Sequence, residues 1–369
     1  MKINITKATL LEGIQIISSG VSSRTTLPIL HNFLMETQQG KLKMVRTDME
    51  MATVHFVQAE IVEEGSITVP LKEFSDIIKN LPDDKEITLT GDENNKLHIK
   101  SGKSKFWVIG TPKSEYPAIP EIERSGSVQL DPILLQQMVE KTAFSASTQE
   151  TRYILNGLLW SSSAESFEVV ATDGGRLAVA TQPALAGSNE FKIIIPTKIL
   201  NELCRFVSIA KPDKDTKIEV NVATNQVSFI MNETTFISRL IEGNFPNYKQ
   251  VIPTKTTIKF ESFVKELLAS TRRAALCAGE FGSIVKYKVE NNKLTVSSNS
   301  QNMDFTDELP VEYNGEIFEA NFKPQYIIDV LKNISAEKVS FSFVNASLPV
   351  LIEPVEDKTF KYVIMPMRA

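Results

Sequence analysis

The sequence predicts an α+β protein of three similar domains in tandem, because three local features each occur three times along its 369 residues. The features are a helical stretch after a short strand, a strand–turn–strand unit, and a shorter helix after another strand. All three recur at a spacing of about 125 residues, which is the mark of a structural repeat. Independent features with one shared period are difficult to explain by chance, so a repeated domain is expected.

The first repeated feature is a helix with apolar residues at the spacing of one helical face. Its three copies lie in the stretches that begin at Ile5, Leu130 and Phe260. In the first copy, for example, Leu10 and Ile14 are four positions apart and fall on the same side of a helix. An apolar stripe of this kind faces a core, so each helix is expected to pack on a sheet.

The second repeated feature is a strand–turn–strand unit, whose turns begin at Thr47, Thr172 and Ser298. In the second copy, ATDGGRLAVA, the turn contains two successive glycines. Glycine adopts a positive φ at little cost, which suits a tight turn. Asp173 in this turn could act as a lone catalytic acid, but the role of a polar turn residue is favoured.

The third repeated feature is a strand followed by a helix of about ten residues, with junctions at Pro70, Pro196 and Lys323. Between the features, alternating apolar and polar residues predict antiparallel hairpins, as in KEITLTGDENNKLHIK. Each domain is therefore expected to pack two helices on antiparallel sheet. The expected domain limits are 1–124, 125–253 and 254–369.

The composition argues against several classes of protein. The net charge is −5, which is not the strongly basic balance of a protein that grips DNA with its whole surface. No apolar run reaches the roughly 18 residues that a membrane span needs, so no membrane partner is expected. Cys204 and Cys277 suggest no disulfide framework, and a cytoplasmic location is predicted. His31, His55 and His98 lack metal-ligand spacing, so no metal site is expected.

Motifs of catalysis are missing from the sequence. The SGKS stretch at 101–104 ends like a phosphate-binding loop, but Leu97 stands where its first glycine would be needed. No Gly-x-Ser-x-Gly sequence is present, and no histidine occurs after His98. The sequence therefore predicts a non-enzymatic protein without a cofactor.

Several stretches, taken together, are similar to one known family. They are SRTTLPILHNFL and RTDMEMA in the first domain, QETRYILNGLLW, VVATDGGRLAVA and IEGNFPNYKQVIP in the second, and FKPQYIIDVL and YVIMPMRA in the third. With these stretches the chain resembles, from end to end, the bacterial DNA polymerase III β subunits, the sliding clamps. The resemblance implies three domains of the DNA clamp fold and a head-to-tail homodimer whose six domains close a ring.

The resemblance also implies a function and a set of partners. A ring of this kind encircles double-stranded DNA without reading its sequence and confers processivity on a polymerase. The implied protein partners are the DNA polymerase III alpha subunit, the clamp loader subunits, other DNA polymerases and mismatch-repair proteins. These partners are expected to dock through short linear motifs in one pocket.

Site residues follow from the resemblance position by position. The implied peptide-binding pocket consists of Leu155, Thr172, Gly174, Gly175, Arg176, Leu177, Pro246, Val251, Tyr326, Val363, Met365, Pro366, Met367 and Arg368. Methionines adapt to several ligands, which fits a site for many partners. The chain departs from the usual family residues at Gly175, Gln250, Lys323 and Ala369, so its peptide preference is expected to differ.

Two further groups of residues are expected to contact DNA and a second copy of the chain. Arg24 and Gln149 match DNA-contacting positions of relatives, and Lys198 and Arg205 lie on a helix with mild positive character. Opposite charges and apolar side chains in the first and third domains predict the dimer seam. The seam residues are Lys100, Lys103, Lys105 and Phe106 in the first domain, and Leu276, Cys277, Asp304 and Asp307 in the third.

Two other classes of protein remain as alternatives at this point. One is a catalytic DNA-processing enzyme, which would need the metal or nucleotide site that the sequence lacks. The other is a monomeric scaffold of three repeats that binds peptides but not DNA. The mass in solution would separate this scaffold from a ring, since a ring has twice the chain mass.

Overall fold

The structure is a computed structural model of the chain, and it describes residues 1–18, 27–119, 127–185, 190–277 and 284–367. The chain divides into two compact units. The first unit consists mainly of Met1–Gln136 and Lys198–Leu240, and the second mainly of Gln137–Leu185 and Ile241–Ala369. Residues of the central repeat therefore contribute to both units.

The α-helices of the described ranges lie where the repeats predict them. They are α1 (Lys7–Ile17), α2 (Leu71–Asn80), α3 (Pro132–Ala143), α4 (Thr197–Ala210), α5 (Val264–Leu276) and α6 (Pro324–Lys332). Helices α1, α3 and α5 are the three copies of the first repeated feature. Helices α2, α4 and α6 are the three copies of the third. No helix in the described part of the chain is long and apolar enough to span a membrane.

The strands follow the same threefold pattern. The first repeat contains β1 (Lys2–Ile5), β2 (Asn32–Gln38), β3 (Lys41–Thr47), β4 (Met51–Val57), β5 (Glu60–Glu63), β6 (Ser66–Pro70), β7 (Ile87–Gly91), β8 (Lys96–Ser101) and β9 (Ser104–Ile109). The second contains β10 (Ser127–Leu130), β11 (Gly157–Ser162), β12 (Ser166–Thr172), β13 (Arg176–Pro183), β14 (Phe191–Pro196), β15 (Ile218–Val222), β16 (Gln226–Met231) and β17 (Thr234–Arg239). The third contains β18 (Ile258–Phe263), β19 (Val285–Glu290), β20 (Lys293–Asn299), β21 (Asp304–Pro310), β22 (Phe318–Phe322), β23 (Lys338–Phe343), β24 (Val350–Pro354) and β25 (Phe360–Ile364).

These strands form antiparallel sheets, two of which are shared between repeats. The first long sheet lies in the first unit and has the order β10-β15-β16-β17-β4-β3-β2-β6. The second long sheet lies in the second unit and has the order β14-β11-β12-β13-β25-β24-β23-β18. Each long sheet thus takes four strands from the central repeat and four from a neighbour, joined at β17–β4 and at β13–β25.

Two shorter sheets complete the units. A five-stranded sheet in the first unit has the order β5-β1-β7-β8-β9, and a four-stranded sheet in the second has the order β21-β20-β19-β22. In the first repeat, β9 is the equivalent of β17 in the second and of β25 in the third, and it is the edge strand of its sheet. The strand β21 ends its sheet in the place of β4 and β13. The equivalent strands of the other repeats pair with a neighbouring repeat, β17 with β4 and β25 with β13.

The cores lie between helices and sheets, as the apolar patterns predict. In the first repeat, Leu10 and Ile14 of α1 are buried in one cluster with Phe33 and Phe74, whose ring centroids are 5.3 Å apart. Complete burial of such a side chain contributes about 1.5–3 kcal/mol to stability. The expected turn at Ser298 is displaced in the structure, because β20 continues through Asn299 and the turn follows it.

Candidate functional site

The hairpin between β12 and β13 carries the polar cluster that the sequence singles out. The Thr172 hydroxyl donates to the carbonyl of Arg176 at 2.6 Å and accepts from the backbone N–H of Gly174 at 3.1 Å. One carboxylate oxygen of Asp173 accepts from the N–H groups of Gly175 and Arg176, at 2.8 and 3.0 Å. Gly174 has φ +87°, a conformation in which glycine carries little strain. These residues therefore hold one another in a fixed turn.

The Arg176 guanidinium is held by two carboxylates and two aromatic rings. Its Nε lies 3.0 Å from Asp173, and its Nη1 lies 2.6 Å from Asp329 of α6. The ring centroids of Tyr326 and Phe144 lie 4.7 and 5.5 Å from its Cζ. Charge-assisted bonds of this kind fix β13 against α6. Because Asp173 is committed to this network, it serves as a structural residue of the turn, as the sequence favours.

A pocket of about 150 Å³ opens beside this hairpin, and we call it the first pocket. Its floor includes Leu177 and Val363, which face each other across β13 and β25 and are 3% and 2% exposed. Its rim includes Val251 and Met365, each 42% exposed. An exposed apolar rim around a buried apolar floor is typical of a surface that binds a partner.

Local structure on both sides fixes the walls of the first pocket. The Met365 N–H donates to the Gly175 carbonyl at 2.9 Å, which extends β25 along the hairpin. On the other side, the short helix Tyr248–Val251 forms a wall, and the Tyr248 hydroxyl donates to Glu168 at 2.7 Å. Burial and the neighbouring Glu168 carboxylate raise the pKa of Tyr248, so its hydroxyl keeps its proton.

The structure brings most of the expected pocket residues together. The predicted residues that line the first pocket are Leu155, Thr172, Gly174, Gly175, Arg176, Leu177, Pro246, Val251, Val363 and Met365. Tyr326, Pro366 and Met367 are not among its lining residues, although Tyr326 lies so close to Gly175 that a Cβ there would be 2.9 Å from its ring. Arg368 and Ala369 lie outside the described residues.

Sequence reasoning missed two residues of the first pocket, Asn247 and Tyr248. Both lie in the stretch IEGNFPNYKQVIP, directly after Pro246. An aromatic residue two positions after a proline was the available signal. The hydrogen-bond partner of its hydroxyl, Glu168, lies 80 positions earlier in the chain and could not be read from this stretch.

The expected DNA-contacting residues are placed on exposed surfaces where the structure describes them. Gln149 is exposed at the start of a short helix, Glu150–Asn156. On α4, Lys198 bonds to Asp48 at 2.6 Å, and Arg205 lies 3.8 Å from Glu202. Both basic side chains are about half exposed. Arg24 lies outside the described residues.

The expected seam residues differ in their accessibility. The exposed charged residues among them are Lys100, Lys103, Lys105 and Asp304. Of the apolar residues, Phe106 is 44% exposed and Leu276 is 73% exposed. Asp307 forms an ion pair with Arg273 of its own chain. Cys277 is only 6% exposed, so its side chain offers little accessible apolar surface for the expected seam. It follows the last residue of α5 and turns inward, whereas Leu276 turns outward. Trp107 and Ile109, which the sequence analysis passed over, are 57% and 60% exposed on β9.

Three α+β repeats that share long antiparallel sheets define the class of DNA clamps. The family models for the DNA polymerase III beta subunit match all three repeats: the N-terminal domain at residues 1–120, the central domain at 129–247 and the C-terminal domain at 249–368. The chain belongs to the DNA polymerase III beta subunit family. Its function is that of a sliding clamp, a non-catalytic processivity factor that encircles DNA during replication.

Known relatives match the chain over its full length. The Beta sliding clamps of Vibrio cholerae and Escherichia coli are each 32% identical to it, with 100% of both chains covered. The crystal structure of the DNA polymerase III subunit beta from Pseudomonas aeruginosa has a TM-score of 0.94 at 30% identity, with both chains fully covered. The sliding clamp from Bacillus subtilis also has a TM-score of 0.94, at 29% identity, with 100% of this chain and 99% of that chain covered.

Proposed function

We propose that the first pocket binds short linear motifs of replication and repair proteins. These would be the DNA polymerase III alpha subunit, clamp loader subunits, other DNA polymerases and mismatch-repair proteins. The observation that carries the proposal is the apolar pocket itself, with Leu177 and Val363 as its floor and Met365 exposed at its rim. A Pseudomonas aeruginosa sliding clamp of the same fold, with a TM-score of 0.94, has been solved bound to griselimycin.

The shape and chemistry of the first pocket favour a leucine or phenylalanine side chain as anchor. Interface energy usually concentrates in a few buried apolar anchors, and a pocket of about 150 Å³ has room for such a group. Met365 can change rotamer without strain, so the rim can adapt to peptides of different sequence. A peptide of the Gln-Leu-x-Leu-Phe type, the Gln-Leu peptide, is the proposed ligand.

Deleting Met365–Ala369 tests this function. The deletion removes the Met365 part of the rim but leaves β25, which ends at Ile364, and should abolish binding of a fluorescein-labelled Gln-Leu peptide in an anisotropy titration. The control removes another exposed apolar side chain, by Ile317→Ala, and should leave binding intact because Ile317 does not line the first pocket. Full binding by the deletion variant would show that the hairpin is only a turn.

The proposed assembly is a head-to-tail dimer in which β9 of one copy pairs with β21 of a second copy. The support comes from the repeat, because β17–β4 and β25–β13 pair at the equivalent edges within the chain. Exposed Lys105 on β9 and Asp304 on β21 carry opposite charges, and Phe106 and Leu276 supply apolar surface. A heterologous contact of this kind closes a ring when the rotation permits.

The DNA contacts in this proposal are made by Lys198 and Arg205 of α4 and by Gln149, together with Arg24. Salt-sensitive attraction to phosphates by a few basic side chains suits a ring that must slide. The domains 1–124, 125–253 and 254–369, contributed by each of two copies, are proposed as the six building blocks of the ring. A cytoplasmic location is proposed with the replication partners.

A further inference from the structure

The first unit contains a second depression, of about 100 Å³, which we call the second pocket. The hairpin β3–β4, the end of β17 and the segment around Pro117 form its walls. Met49, Glu50, Ala52, Ile237 and Arg239 line it. None of these residues belongs to the first pocket or to the proposed seam.

The turn of the second pocket repeats the hydrogen bonds of the first pocket. The Thr47 hydroxyl donates to the Met51 carbonyl at 2.7 Å and accepts from the Met49 N–H at 2.9 Å. One Asp48 carboxylate oxygen accepts from the N–H groups of Glu50 and Met51, at 3.1 and 2.9 Å. These are the same bonds that join Thr172, Asp173 and Arg176, so the two turns correspond residue by residue.

The neighbouring strands correspond as well. The Arg239 N–H donates to the Glu50 carbonyl at 2.9 Å, as Met365 donates to Gly175. Ala52 faces Ile237 across β4 and β17, as Leu177 faces Val363. The apolar layers beneath also match: Leu34, Val45, Val54 and Tyr116 under the second pocket, and Leu159, Val170, Val179 and Phe245 under the first.

The two pockets differ in the charge of their rims. Glu50 stands at the position of Gly175, and Arg239 at the position of Met365. Both are exposed, and neither forms an ion pair with a residue that the structure describes. Asp48 is paired with Lys198 at 2.6 Å, so Glu50 and Arg239 are the acid and the base of this rim without an ion-pair partner among the described residues.

We infer that the second pocket binds short peptides in which one aliphatic residue is flanked by a basic residue on one side and an acidic residue on the other. The aliphatic side chain fills the space above Ala52 and Ile237, and the flanking charges pair with Glu50 and Arg239. The inference rests on the proposed function of the first pocket, whose scaffold the second pocket reproduces. The charged rim gives the second pocket a different ligand from the first.

Two labelled pentapeptides of equal composition and opposite order test this inference by anisotropy: Gly-Lys-Leu-Asp-Gly and Gly-Asp-Leu-Lys-Gly. The wild-type protein should bind one order about fivefold more tightly than the other, the scale expected for exposed ion pairs. The double variant Glu50→Arg with Arg239→Glu should reverse the preference. General loss of charge or of folding cannot produce such an exchange.

A second charge swap provides the control. Lys259→Glu with Glu261→Lys exchanges a partly exposed ion pair on β18 and should leave the order preference as in the wild type. Absence of saturable binding by both peptides, or an unchanged preference in the Glu50/Arg239 variant, would overturn the inference. The Gln-Leu peptide is titrated in parallel and reports on the first pocket alone. Its failure to bind, with the reversal retained, would overturn the proposed function and leave the second pocket supported.

Discussion

Replacing Phe106 by alanine tests the proposed dimer directly, because the chain contains a buried counterpart of this residue. Phe106 faces Ile99 in the hairpin β8–β9, as Phe236 faces Phe229 in β16–β17. Phe236 is 1% exposed and packs against Phe206 of α4 at 5.3 Å between ring centroids, whereas Phe106 is 44% exposed. If β9 pairs with β21 of a second copy as β17 pairs with β4, Phe106 becomes buried like Phe236.

The expected loss of dimer stability follows from this difference in burial. The exposed 44% of Phe106 corresponds to about 90 Å² of apolar surface, taking roughly 200 Å² for the whole side chain. At about 25 cal/mol per Å², its burial contributes about 2 kcal/mol at each seam. A ring has two seams, so Phe106→Ala should raise the dissociation constant of the dimer about 1000-fold.

Sedimentation velocity over a dilution series measures this constant. Phe106→Leu should dissociate much less than Phe106→Ala, because leucine refills most of the buried space. His98→Ala is the matched control, since His98 is exposed on the neighbouring strand β8 rather than at the sheet edge. If Phe106→Ala and His98→Ala dissociated over the same range of concentrations, β9 would not be the seam.

Three further predictions concern DNA, the rim of the first pocket and pH. Once loaded, the protein should stay on nicked circular duplex and leave it after linearisation, and equal retention on both would indicate ordinary affinity instead of a ring. Gly175→His should change the affinity for the Gln-Leu peptide less than about fivefold, since only the outer end of the Tyr326 side chain must move. Complete loss of binding in an anisotropy titration would show that residue 175 does not lie at the rim of the first pocket. Burial lowers the pKa of His55 from 6.5 to about 4, so the stability that the neutral ring supports above pH 6.5 is lost as pH falls toward 4. Urea unfolding should show that the free energy of unfolding falls by about 2 kcal/mol between pH 7 and pH 5, and that this loss is absent in His55→Gln. Equal losses in both proteins would show that His55 is not the group responsible.

The repeat and the hairpins could be predicted from the sequence because they depend on local patterns. Apolar periodicity defines which face of a helix or strand is buried, and Leu10, Thr172 and Pro70 lie where those patterns place them. The pairing of β17 with β4 could not be predicted in this way. Its partners lie about 180 residues apart, and alternation along a strand does not reveal which strand lies beside it.

The candidate site shows the same limit at single residues. The turn around Gly174 is visible in five consecutive letters, but the anchoring of Arg176 depends on Asp329, which lies 153 positions away. Leu276 and Cys277 are adjacent and both apolar, yet one is 73% exposed and the other buried. Adjacent positions at a helix end point in different directions, and only the packing around α5 decides which of them turns inward.

The shared sheets also determine what can be cut from this chain. A fragment that ended near residue 124 would keep β4 but lose β17, and a row of backbone N–H and C=O groups would be left without partners. Uncovered edges of this kind recruit other strands and promote aggregation. The piece that repeats in the sequence is therefore not the piece that can stand alone. A recombinant fragment of the first repeat alone should therefore precipitate, because its β4 edge would lack β17.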